Sequence, residues 1–192
     1  MNIHLVDDDL TVLDACSFML EQWGYTVTSW SNSQTFIENA PLYEEGIVLL
    51  DMKMPILDGK QIHQFLRQQN STLAVIILTG HADVPMAVQE LKQGAVDFLQ
   101  KPVQFAHLQA ALSLAQSTTQ DNYKRYQIHC CYTQLSNKEL DILDLLLQGY
   151  INRQIAERLN ISIRTVEVHR AHIMEKMNAQ TIAELIYKAY QL

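Results

Sequence analysis

The sequence predicts an α/β fold, a doubly wound parallel sheet built from five βα units, followed by an all-α part of four helices. Three observations carry this reading. Aliphatic runs such as Ile47 to Leu50 and Ala74 to Thr79 lack polar alternation, so they suit strands covered by helices on both faces. Amphipathic helical stretches separate these runs at the spacing that right-handed crossovers need. Beyond residue 134 strand signals cease, and helical periodicity with capping residues replaces them.

In chain order, Ile3 to Asp7 reads as a strand, Leu10 to Trp23 as a helix closed by Gly24, and Thr26 to Ser29 as a second strand. A short helix covers Ser33 to Ala40. The third strand, Ile47 to Leu50, delivers Asp51 to its carboxyl end, and Pro55, Asp58 and Gly59 turn the chain into a helix reaching about Gln69. Ala74 to Thr79, a helix from Val84 to Gln93 stopped by Gly94, the strand Val96 to Leu99 and a helix from Gln104 to about Ser117 complete the alternation. Residues 118–134, TTQDNYKRYQIHCCYTQ, are polar and aperiodic; they read as an interdomain linker whose first part extends the preceding helix. The expected organisation is therefore 1–117, a linker 118–134, and 135–192.

In the last part Ser136-Asn137-Lys138-Glu139 is a capping box, Leu140, Leu143 and Leu147 recur at helical spacing, and Gly149 stops the helix. Asn152 opens a short helix to about Leu159, Asn160-Ile161 turns, Ser162 caps a helix from Ile163 to about Met177, and Thr181 to Tyr190 forms a fourth. Two helices joined by a tight turn suggest a helix-turn-helix. Most such pairs are plain helical hairpins. This one carries a polar, partly basic face of Arg164, Thr165, Glu167, Val168, Arg170, Ala171 and His172, while Val166, His169 and Ile173 turn toward the core.

Composition narrows the functional classes. The chain of 192 residues is 48% hydrophobic and 18% charged, with a formal net charge of −7, values of a globular protein. No apolar run approaches the roughly 20 residues a membrane span needs. MNIHLVDDD has no basic n-region, so export is not expected and a cytoplasmic location is. Residues 1–116 hold 5 Lys/Arg against 13 Asp/Glu, and residues 117–192 hold 9 against 8. The acidic first part is thus a poor polyanion binder, whereas the second can present a local basic face. Cys16, Cys130 and Cys131 are an odd number with no CxxC spacing, so they indicate neither a disulfide framework nor a zinc site; Cys130-Cys131 reads as two ordinary thiols, with a redox sensor as the alternative. His4, His63, His81, His107 and His129 are scattered singly, as structural or surface residues are.

All parallel strand ends share one edge, the edge where ligands of open α/β sheets bind. There the sequence places Asp7-Asp8, Asp51, Thr79-Gly80 and Lys101-Pro102. A lone Asp-Asp pair is usually a helix cap and a lone Lys-Pro a loop. Carboxylates converging on one rim, however, repel one another unless a cation joins them, and hard divalent cations take oxygen ligands. This implies a Mg²⁺ site: Asp8 and Asp51 bind directly and Asp7 through water. Lys101 and Thr79 would hold the oxygens of a transferred phosphoryl group.

Together, the motifs LVDDD, LLDMKMPILDG, ILTGHAD and DFLQKP resemble the receiver domain of two-component response regulators. The resemblance spans residues 1 to about 120 and implies a flavodoxin-like (βα)5 fold. By it, Asp51 is the phosphoacceptor, Asp7 and Asp8 form the acidic pocket, and the Lys53 carbonyl completes the metal shell. Thr79 and Phe98 occupy the hydroxyl and aromatic switch positions, and Lys101 that of the phosphate-sensing lysine. On residues alone Phe98 is a core aromatic.

GYINRQIAERLNISIRTVEVHRAHIMEKM resembles the DNA-binding domain of the LuxR and FixJ class of transcription regulators, with NRQIA, LNIS and TVEVHR as its specific pieces. LSNKELDIL departs from the family's commoner threonine-bearing opening, on the scaffold helix. The resemblance implies that the Ile163 helix enters the major groove. Glu167, Val168 and Ala171 are expected to read base edges, and Arg153, Arg164, Thr165, Arg170 and Lys176 to contact phosphates. The last helix, with Ile182, Leu185, Ile186 and Ala189 on one stripe, resembles the family's dimerisation helix, and packing onto its own domain is the competing use of that stripe. The expected protein is a non-enzymatic transcriptional response regulator, phosphorylated on Asp51 by a sensor histidine kinase and dimerising on double-stranded promoter DNA, where it would meet RNA polymerase. The alternatives are a Mg²⁺-dependent aspartyl-phosphate phosphohydrolase and a phosphotransfer protein without DNA output.

Overall fold

The computed structural model describes residues 1–80 and 84–192, with backbone alone for 84–87; His81 of the ILTGHAD motif lies outside the described residues. The chain divides into two compact units, Met1–Tyr123 and Lys124–Leu192.

The first unit is a five-stranded sheet of order β2-β1-β3-β4-β5 in which every neighbouring pair is parallel. Its strands are β1 (Asn2–Val6), β2 (Thr26–Trp30), β3 (Gly46–Asp51), β4 (Ala74–Thr79) and β5 (Asp97–Gln100). Between and after them run α1 (Leu10–Gln22), α2 (Ser33–Asn39), α3 (Gly59–Gln68), α4 (Val84–Lys92) and α5 (Phe105–Tyr132). Every residue of β3 and β4 is buried. The aliphatic runs lack polar alternation because alternate side chains enter two separate cores. Leu5, Ile47, Leu49, Ile76 and Leu78 pack with Leu13 and Leu20 of α1 and Leu108 and Leu112 of α5. On the other face Val48, Leu50, Val75 and Ile77 pack with Phe36 of α2 and Ile62 and Leu66 of α3.

Most element ends agree with the sequence reading to within a residue, but α5 does not. Expected to run to about Ser117 and to be extended by only the first part of the linker, it continues to Tyr132, so the stretch expected as a linker is helical over 118–132. No Gly or Pro interrupts it. Thr119, fully buried, accepts the Gly46 amide at 3.0 Å and donates to the Thr72 carbonyl at 2.9 Å, so this part of the helix satisfies polar backbone at the start of β3 and just before β4.

The second unit consists of the end of α5 with α6 (Asn137–Leu147), α7 (Asn152–Leu159), α8 (Ile163–Lys176) and α9 (Ile182–Ala189). Its core contains Ile142, Leu143 and Leu146 of α6, Ile155 of α7, Val166 and Ile173 of α8 and Leu185 of α9, with Ile128, Cys131 and Tyr132 of α5 partly buried against it. Asn160, with φ of 52°, ends α7 in the left-handed region that Asn tolerates. Ser162 then accepts the Thr165 amide at 3.0 Å to start α8. These two caps set the tight turn between α7 and α8.

At the end of β3, Gly59 brings α3 against the strand and donates its amide to Met52 at 3.2 Å. A Cβ there would stand against the Asp51 carbonyl oxygen and 2.9 Å from the Met52 Cα. Because both neighbours are backbone, Gly59→Ala is expected to lower unfolding stability by about 1–3 kcal/mol, the usual range for overpacking. Denaturant titration checks this, and an unchanged midpoint would show that the β3–α3 junction relaxes freely.

Candidate functional site

The carboxyl edge of the sheet gathers the residues that the sequence places at strand ends. Asp7 follows β1, is 1% exposed, and accepts the Asp9 amide on Oδ1 at 3.0 Å. Asp51 ends β3, 6% exposed, and accepts the Lys53 amide on Oδ2 at 3.0 Å. Lys101, just past β5, reaches back between them, its Nζ 2.5 Å from Asp7 Oδ2 and 2.7 Å from Asp51 Oδ1. Asp8 is exposed, and one carboxylate oxygen from each of Asp7, Asp8 and Asp51 lies within 4.8 Å of the others. Burial pushes the Asp51 carboxyl up, against the opposing pull of the Lys101 ammonium; Asp7 adds to the rise and the Lys53 amide opposes it. Burial works against the Lys101 charge too, but the two carboxylates overcome it and raise its pKa.

Three carboxylates against one ammonium leave a negative, oxygen-lined rim. That donor set fits a hard divalent cation, which takes one or two carboxylates plus other oxygens. Thr79 is fully buried at the end of β4, its hydroxyl donating to the Gly80 carbonyl at 3.3 Å, while its own carbonyl accepts the Lys101 amide at 2.8 Å. Phe98 is half-buried on β5 and packs against the core face that includes Leu91 of α4. The structure therefore brings Asp7, Asp8, Asp51 and Lys101 into one cluster, with Thr79 and Phe98 on the adjoining strand ends.

Some neighbours escaped the sequence reading. His63 of α3 and Glu90 of α4, 1% and 0% exposed, pair at 2.6 Å and tie these helices together. Cys16 of α1 feels the site: burial raises its thiol pKa, Asp7 adds to this and Lys101 opposes it. Both arise from contacts between distant segments.

In the second unit Arg153, Arg164, Glu167, Val168 and Ala171 are exposed, whereas Thr165 and Arg170 are half-buried. Val166 and Ile173 are fully buried as their spacing implies, and His169 is half-buried. Arg164 lies 3.6 Å from Glu167. Arg153 donates to Glu157 at 3.1 Å, Arg170 to the Asn152 side chain and Lys176 to Glu139 at 2.7 Å, so each of the four cations expected on phosphates has a protein partner, and of these Arg170 and Lys176 are half-buried.

Residues 3–113 match the response regulator receiver domain, and residues 133–189 match the bacterial regulatory proteins of the luxR family. The chain belongs to the response regulators with a LuxR-type DNA-binding domain. It is 55% identical over 184 residues to the tetrathionate response regulatory protein TtrR of Salmonella typhimurium, covering 96% of this chain and 89% of that one. It is 35% identical over 189 residues to the transcriptional regulatory protein FixJ of Bradyrhizobium diazoefficiens, covering 96% and 92%. Among solved structures, the response regulator StyR superposes over 100% of this chain and 98% of that one, at 31% identity and a TM-score of 0.67. As in other response regulators, the receiver implies a histidine kinase as partner and the LuxR-type domain implies DNA.

In this regulator's second unit, buried Glu139 ties the start of α6 to Lys176 of α8. Burial opposes its charge, but the Lys176 ammonium and the Ser136 amide and hydroxyl prevail and hold its carboxyl at about 2. A carboxyl depressed on folding stabilises the protein fully above its unfolded pKa of about 4.5 and loses that contribution as pH falls toward 2. Glu139→Gln is expected to cost about 1.5–3 kcal/mol at neutral pH, the range for hydrogen bonds to charged groups, and to flatten the stability profile between pH 4.5 and 2. Urea midpoints across that window test it; parallel wild-type and variant profiles would contradict it.

Proposed function

We propose that the chain is a transcriptional switch driven by phosphorylation of Asp51. The observation that carries this is the Lys101 ammonium held between two buried rim carboxylates, Asp7 and Asp51. A carboxylate oxygen of Asp51 attacks the phosphorus of a phosphohistidine on the sensor kinase; the P–N bond breaks, and the histidine nitrogen takes up a proton. Asp7, Asp8, Asp51 and the Lys53 carbonyl would hold Mg²⁺, which when bound offsets charge on the transferred oxygens. Lys101 then exchanges the Asp51 carboxylate for a phosphoryl oxygen, and the Thr79 hydroxyl turns from Gly80 toward another. That movement vacates space for Phe98, coupling the rim to the surface of α4 and β5, where the phosphorylated protein dimerises.

In the output domain α8 enters the major groove of double-stranded promoter DNA. Glu167, Val168 and Ala171 meet base edges, and Arg153, Arg164 and Thr165 meet phosphates. Arg170 and Lys176, held by Asn152 and Glu139, supply positive potential beside the groove. Bound there, the dimer meets RNA polymerase. The protein acts in the cytoplasm and turns over no external substrate. Its likeness to the tetrathionate regulator supports a kinase that senses tetrathionate or a related sulfur oxyanion, with a respiratory operon as target.

Incubation with a small phosphodonor and Mg²⁺ should add one phosphoryl group to the wild type and shift it toward a dimer on size exclusion. Asp51→Asn should take up none, remain monomeric and keep its unfolding midpoint, because it removes a charge that burial disfavours. Equal phosphoryl uptake by that variant would overturn the assignment.

A further inference from the structure

In the second unit, Glu139 opens α6, and His169 and His172 lie one helical turn apart on α8. One ligand atom from each lies within 4.8 Å of the other two. The carboxylate is divided in use. The Ser136 amide and hydroxyl and the Lys176 ammonium all donate to Oε2, at 2.8, 2.9 and 2.7 Å. Oε1 is left facing His172 Nδ1 at 3.9 Å. His169 Nδ1 is buried with no hydrogen-bond partner among the described residues, and a buried polar atom left unpaired is costly enough to call for an explanation such as a bound ion. His172 is 54% exposed, which gives an ion a path in and leaves a coordination position to water.

We propose that Glu139, His169 and His172 form a site for a borderline divalent transition metal such as Zn²⁺, clasping α6 to α8. Two imidazoles and one carboxylate with an open fourth position are a ligand set that zinc accepts. The hydrogen bonds on Oε2 orient the carboxylate as outer partners of a metal ligand do. Lys176 stays on Oε2, so the metal takes Oε1 alone. The site is separate in residues and ligand preference from the all-oxygen rim of Asp7, Asp8 and Asp51, which favours a hard cation.

The test uses untagged, full-length protein stripped with chelator and titrated with Co²⁺ in the presence of excess Mg²⁺. The wild type and Asp51→Asn should both bind one Co²⁺ with the visible absorption of a low-coordinate nitrogen and oxygen site, and Zn²⁺ should displace it. The exposed His172→Ala should lose that absorption and bind Zn²⁺ at least about tenfold more weakly in competition with a chromophoric chelator; His169→Gln provides a second variant, with circular dichroism confirming that both fold. An absorption that survives in His172→Ala and His169→Gln, disappears in Asp51→Asn, or carries thiolate charge transfer from the cysteines would overturn the proposal.

Discussion

Like charges at the end of a parallel sheet are the constraint on which the first unit depends. Parallel strands carry the chain to the same edge each time, so Asp7 and Asp51, on neighbouring strands, end close together and shielded from water. Two buried carboxylates at such a distance would favour protonation. Lys101 is the built-in answer, delivered by β5 and held at its backbone by the Thr79 carbonyl. One ammonium leaves the rim, with exposed Asp8, still negative. The sheet thus creates a place where a cation and a phosphoryl group would together find complementary charges, and where the protein alone remains incompletely satisfied.

The second unit solves a similar electrostatic problem to a different end. Glu139 is as buried as Asp7 and Asp51, yet it is paired with Lys176 and with the Ser136 amide and hydroxyl of its own capping box. Those partners depress its pKa, whereas burial dominates at Asp51. The partners of Glu139 thus outweigh the cost of burying its charge, and those of Asp51 do not.

Much of this was legible in the sequence because the signals were local. Greasy runs ending in Asp51 and Thr79 marked buried strands and their shared edge, and the Ser136-to-Glu139 capping box marked the start of α6. What remained hidden depends on distant contacts. The run of α5 to Tyr132 includes a segment that looks linker-like, but Thr119 docks it onto Gly46 and Thr72. The cations of α8 looked alike on a helical wheel, yet Lys176 turns to Glu139 and Arg170 to Asn152 while Arg164 stays exposed. The buried His63–Glu90 pair links two helices through residues that are individually unremarkable in sequence. Local spacing fixes which face a residue occupies, but the partner it finds there is set by packing.

In the proposed switch, charge at the Asp51 rim controls what α8 does on DNA. The most direct measurement is selection of genomic fragments by the full-length protein, followed by sequencing, with and without a small phosphodonor and Mg²⁺. Enrichment of a small set of promoter fragments only after phosphorylation is the predicted result, and it would also name the operon. The same fragments enriched to the same degree in both conditions would contradict the switch and leave a DNA-binding protein whose receiver serves another purpose.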